Sequence, residues 1–118
     1  MNQETVVLCA SSSYEQKYYF NQQFAQLPAT IKDELQIMCV LFTEDVGGVL
    51  ELVFDEDGTL LFNVQADEED ILYDEIGSAL KVKELQRTKT ELLEALELYY
   101  KAFYLNEDIQ NVINHERK

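Results

Sequence analysis

Between Glu44 and Glu75 the chain has no lysine or arginine, yet it carries twelve carboxylates. Cations are scarce throughout, with 9 Lys and Arg against 23 Asp and Glu and a formal charge of -14. Such a surface repels DNA, RNA and anionic lipid, because binding those polyanions depends on cations that neutralise phosphates. Nucleic acid and membrane are therefore not expected partners. A basic protein is, since long-range attraction speeds association. No apolar run approaches the ~20 residues of a membrane helix. No glycine-rich phosphate loop is present. Met1 to Thr5 is mostly polar, and Val6 to Ala10 is too short for the apolar core of a signal peptide. Small secreted domains that depend on disulfides carry more than the 2 cysteines found here. A cytoplasmic protein with reduced thiols is expected.

What is present suits a packed domain. Hydrophobic residues make up 47% of 118 positions, with 7 Tyr and 6 Phe, enough apolar content to offset chain entropy. One α+β domain spanning 1–118 is expected, with about 114–118 frayed. Thr5 to Ala10 is β-branched and apolar and reads as a strand that Ser11-Ser12-Ser13 breaks. Lys17 to Asn21 fits a returning strand or a short helix. Pro28 suits a helix start, and Thr30 with Asp33 resembles a capping box. Ile31, Leu35, Met38 and Phe42 follow at helical spacing. Ile37 to Phe42 is apolar all round, which predicts a helix buried on more than one side, with a strand at Ile37 to Thr43 as the competitor. Gly47-Gly48 ends the element.

The clearest unit is a β-hairpin, Val49 to Phe54 and Thr59 to Ala66. Leu50, Leu52 and Phe54 share one face, as do Leu60, Phe62 and Val64. A two-residue loop would set Phe54 opposite Thr59 and mix the faces. A three-residue loop with Gly58 left-handed pairs Phe54 with Leu60, Leu52 with Phe62 and Leu50 with Val64. That register is expected, with a type I turn and a Gly58 bulge.

Asp67-Glu68-Glu69-Asp70 then read as acids at a helix start, favourable to the macrodipole. Ile76, Leu80, Leu85, Leu92, Leu96, Tyr99 and Phe103 recur near helical spacing. One helix from Ile71 to Tyr104, or two, fits this pattern. Gly77-Ser78 is a candidate kink and Arg87 to Thr90 a candidate break. Glu94, Glu97 and Lys101 fit a solvated side. Leu93, Tyr100 and Tyr104 form a second stripe, either under a last short helix bearing Ile109, Val112 and Ile113 or at a partner interface. The expected architecture is an antiparallel sheet, with one clear hairpin plus one or two N-terminal strands, packed by a buried helix and a long C-terminal helix.

Chemistry is poorly supported. Cys9, Cys39 and His115 are the only material for a Cys–His pair, and the thiols lie in apolar segments where free cysteine acts as a small hydrophobe. One histidine and two distant cysteines make no zinc site. Asp55, Asp57 and Gly58 hint at a calcium loop, but Thr59 at the fifth position and Ala66 at the twelfth break the pattern. Asp67, Asp70, Asp74 and Glu75 are weak metal candidates, read first as charges on a solvated face. No catalytic residue and no cofactor is assigned.

Two segments carry a resemblance: Asp33-Glu34-Leu35-Gln36-Ile37-Met38-Cys39-Val40-Leu41-Phe42-Thr43-Glu44-Asp45-Val46-Gly47-Gly48, and Tyr73-Asp74-Glu75-Ile76-Gly77-Ser78-Ala79-Leu80-Lys81. With Tyr18-Tyr19-Phe20-Asn21 they resemble a family of small acidic proteins from clostridial-type Gram-positive bacteria, a domain of unknown function, over Val7 to Leu105. The resemblance implies a bacterial cytoplasmic protein and brings no functional residue with it. The leading expectation is a non-enzymatic interaction module that binds a basic protein, or itself as a homodimer, through the long helix. The alternative is a small-molecule or divalent-cation binder using the acidic segment 67–75.

Overall fold

Alternating side chains place the sheet, and a computed structural model describes it over residues 5–105. Strands β3 (Val49–Phe54) and β4 (Leu60–Gln65) pair antiparallel, with Leu50 opposite Val64, Leu52 opposite Phe62 and Phe54 opposite Leu60. This is the register that keeps the apolar faces together. The Gly58 N–H donates to the Asp55 carbonyl at 3.0 Å, and the Asp55 N–H to the Thr59 carbonyl at 2.9 Å. Gly58 sits at φ 87°, the left-handed position of the expected bulge. The Asp55 carboxylate accepts the N–H groups of Asp57 and Thr59, each at 2.9 Å, and so holds the turn.

Strand β1 (Val6–Ser12) pairs with β3 on one side and with β2 (Lys17–Phe20) on the other, giving an antiparallel sheet of order β2-β1-β3-β4. The second segment is thus a strand. Ser11 and Ser12 do not break β1 but extend it. Ser11 can stay there, fully buried, because its hydroxyl lies 2.8 Å from that of Thr43; a buried hydroxyl is tolerated when it is hydrogen-bonded. The register slips between Val7 and Cys9. That bulge lets the consecutive residues Leu8 and Cys9 both enter the core.

Helix α1 (Ala29–Val46) starts behind Pro28 with no side-chain cap, so the Thr30–Asp33 box does not form. Thr30 already lies inside the first turn, where its hydroxyl cannot take the capping role. The competing strand at Ile37 to Thr43 is absent. Gly47, at φ 85°, ends the helix, its N–H donating to the Thr43 carbonyl. Leu35, Met38, Cys39, Phe42 and Val46 form one buried stripe. Ile37 and Leu41 are 59% and 57% exposed. The expectation of burial on more than one side is therefore wrong: the apolar content of α1 exceeds what its neighbours cover.

The C-terminal pattern folds as two helices, α2 (Glu75–Thr88) and α3 (Thr90–Phe103), joined at Lys89. The break is the one at Arg87 to Thr90, not at Gly77-Ser78. Asp67 to Asp70 do not start a helix. Successive turns occupy the segment, with the Asp70 N–H bonded to the Asp67 carbonyl and that of Tyr73 to the Asp70 carbonyl. Asp74 takes the capping role, its carboxylate accepting the Gly77 N–H at 2.8 Å. Glu97 is not on a solvated side either; it accepts the Leu60 N–H at 2.8 Å and ties α3 to β4. The helices lie on one face of the sheet, α1 through Cys39 on Cys9 and Thr43 on Ser11, α3 through Tyr100 on Phe54. The fold is α+β. No described helix is long and apolar enough to cross a membrane. The proposed last helix with Ile109, Val112 and Ile113, His115 and the frayed end fall outside the described residues.

Candidate functional site

Of the stripe Leu93, Tyr100 and Tyr104, Tyr100 is buried in the core and the other two are partly buried against it. Tyr100 is 6% exposed and stacks on Phe54 with centroids 4.2 Å apart. Tyr104 packs on Phe24 at 5.1 Å and donates its hydroxyl to the Gln23 carbonyl at 2.7 Å. Leu93 is half-buried against the same cluster. Phe103, expected to continue the core stripe, is 66% exposed. Leu92 and Leu96 are compatible with either continuation; Phe24 and Phe54 draw Tyr100 and Tyr104 inward, while Tyr99 is only partly buried and Phe103 is left outside.

The acidic segment is organised by local bonds. Tyr14 donates its hydroxyl to the Asp70 carboxylate at 2.6 Å and accepts the Asp67 N–H at 3.0 Å. The bond to Asp70 holds the phenol above its usual range. The other Asp70 oxygen accepts the Leu72 N–H. Asp74 is committed to its cap. Among the described residues no three of His, Cys, Asp or Glu gather as a metal ion requires. Asp67, Asp70, Asp74 and Glu75 thus form no metal-type cluster among the described residues.

Cys9 and Cys39 meet across β1 and α1 with their sulfurs 3.8 Å apart, both fully buried. The shared bond lowers the Cys9 thiol and raises that of Cys39. Beside them the Tyr18 hydroxyl is buried without a hydrogen-bond partner among the described residues. Burial, and next the neighbouring Cys9, push its phenol up. Two thiols sealed from solvent pack as small apolar groups.

The feature that stands out on the surface is a groove between α1 and α2, about 550 Å³ in volume. Its floor is Met38, Phe42 and Leu85, and Ile37 and Leu41 line it from α1. Two ion pairs bridge its helices, Lys81 to Asp45 at 2.6 Å and Lys89 to Glu34 at 3.2 Å. The bond to Asp45 holds the Lys81 ammonium above its ordinary value. Asp33 and Glu84 also border the groove and have no salt-bridge partner among the described residues. Further apolar side chains stand in solvent nearby in sequence: Ile71 and Leu72 before α2, then Ile76 and Leu80 along it. Ile76 and Leu80 were expected in the core. The signal for this face was the all-apolar run Ile37 to Phe42, whose outer half faces water instead of a second layer.

A protein-family model described as a family of unknown function, DUF6145, matches residues 5–108. The chain belongs to that family. Every strand and helix above lies inside the matched range, so the groove is part of the DUF6145 unit and not of an appended segment. No curated protein and no solved structure matches the chain.

Proposed function

We propose that this DUF6145 protein is a non-enzymatic interaction module of the bacterial cytoplasm, and that the α1–α2 face, not the α3 stripe, is its contact surface. The observation that carries the reading is the pair Ile37 and Leu41, each more than half exposed above an apolar groove. Clustered apolar surface of this kind marks interaction sites, whereas scattered single residues do not. The charge of -14 favours a basic partner and speeds its encounter. The bacterial, cytoplasmic setting rests on the sequence resemblance. No reaction is assigned.

The test is affinity capture of the tagged protein from its own cells, comparing wild type with Ile37→Ser/Leu41→Ser at low and moderate salt. A stoichiometric partner held by wild type and lost from the folded variant is expected. Identical recovery from both would reject this surface.

A further inference from the structure

We infer that the occupant of the α1–α2 groove is a basic amphipathic helix presented by a partner protein. The inference rests on the interaction reading above and adds the chemistry of the partner. Shape comes first. The groove residues run from Thr30 to Phe42 on α1 and from Lys81 on α2 to Lys89 just past its end. At 1.5 Å per residue this is a slot of roughly 12 to 18 Å, the length of two to three helical turns. Both walls are helices, whose backbone groups are already bonded internally. An added strand would find no row of free N–H and C=O groups to pair with, whereas a helix needs only an apolar trough.

Polarity and charge then narrow the occupant. The trough offers Ile37, Met38, Leu41 and Leu85, which suits one apolar face at i, i+3, i+4 and i+7 spacing. The border is mixed with a small acidic excess, Asp33, Glu34 and Glu84 against Lys81 and Lys89. Its cations Lys81 and Lys89 are engaged with Asp45 and Glu34, while Asp33 and Glu84 have no salt-bridge partner among the described residues. Lys or Arg flanking the apolar face of an incoming helix would meet those carboxylates. A second copy of this chain fits poorly, since two bodies each of charge -14 repel one another.

The experiment uses three synthetic amphipathic helices of about 14 residues. They share one leucine face, and their polar positions are all Lys, all Gln or all Glu. A fourth peptide has the Leu/Lys composition in an order with no amphipathic face. Binding to the full chain is measured by calorimetry, and the contact is mapped by amide chemical shifts. The Lys helix is expected to bind one to one, at least about tenfold tighter than the Gln helix or the reordered peptide, with no binding by the Glu helix. Ile37→Ser/Leu41→Ser is expected to weaken the Lys helix about tenfold or more. Asp33→Asn/Glu84→Gln, which leaves the apolar packing untouched, should weaken it severalfold.

Equal binding by wild type and Ile37→Ser/Leu41→Ser would mean charge adsorption elsewhere and would overturn the inference. So would a Gln helix as tight as the Lys helix. A wild-type dimer by sedimentation that Ile37→Ser/Leu41→Ser dissolves would replace the basic helix by a second copy while leaving the interaction reading standing. Failure of the interaction reading itself shows separately, as capture from cells that is indifferent to Ile37 and Leu41.

Discussion

Helices α2 and α3 have the same length, 14 residues each, and opposite relations to the core. Helix α3 buries Leu92, Leu96 and Tyr100 and carries the aromatic stack onto Phe54. Helix α2 fully buries only Ser78. It is held by the Asp74 cap, the 2.8 Å bond from the Tyr73 hydroxyl to that of Ser78, half-buried Val82 and Leu85, and the Lys81–Asp45 pair. Burial of apolar area stabilises far more than exposed ion pairs do. One helix is therefore part of the scaffold, and the other is a wall of the groove whose apolar residues remain available to a partner.

The contrast can be broken most forcefully by truncating one side chain in each helix. Leu96→Ala is expected to cost about 2–5 kcal/mol, as a buried leucine does. Leu80→Ala, at a position 64% exposed, should stay within about 0.5 kcal/mol. Urea unfolding measures both. Similar losses at the two positions would erase the distinction.

The second-largest effect is a pH dependence on the alkaline side, to which the packed phenols contribute. Burial raises the Tyr18 and Tyr104 phenols, so their neutral forms are favoured when folded. That stability is complete below the ordinary phenol value of about 10 and is lost as pH rises through the raised folded values. Wild type should lose stability above about pH 10, and Tyr18→Phe should flatten that limb. Because the Tyr18 hydroxyl is buried without a described partner, its removal should be neutral or stabilising by about 1 kcal/mol near pH 7. An unchanged alkaline limb would rule out Tyr18 as its source.

Smaller effects belong to α2. Asp74→Ala removes the cap and should cost about 1 kcal/mol. Amide exchange should then quicken in α2 and remain unchanged in α3. Lys81→Ala removes a surface pair and should cost a few tenths of a kcal/mol. The contribution of Lys81 is present below the ordinary lysine value and is lost as pH rises through its raised one.

The register of the β3–β4 hairpin and its left-handed Gly58 were legible, because strict alternation and one glycine permit a single pairing. Membership of a family of unknown function was legible too, and the family match covers residues 5–108. The orientations of α1 and α3 were not. Periodicity reports which residues share a face but not whether that face meets protein or water, so Ile37, Leu41, Ile76 and Leu80 read as core. In α3 the choice between the rows through Tyr99 and Tyr100 depends on Phe24 and Phe54, which are remote in sequence. The start of α2 was misplaced because acids at 67–70 look like a helix start, while the capping carboxylate is Asp74. The groove therefore had to be seen in three dimensions, although Ile37 to Phe42 contained its signature.

The most direct test places a photo-crosslinking amino acid at Leu41, above the groove, and separately at Tyr19 on β2, 54% exposed. Irradiation in the native cells should give one discrete adduct from position 41 and none from position 19. Adducts from position 19 alone, or none from 41 while the protein is folded and expressed, would contradict the account.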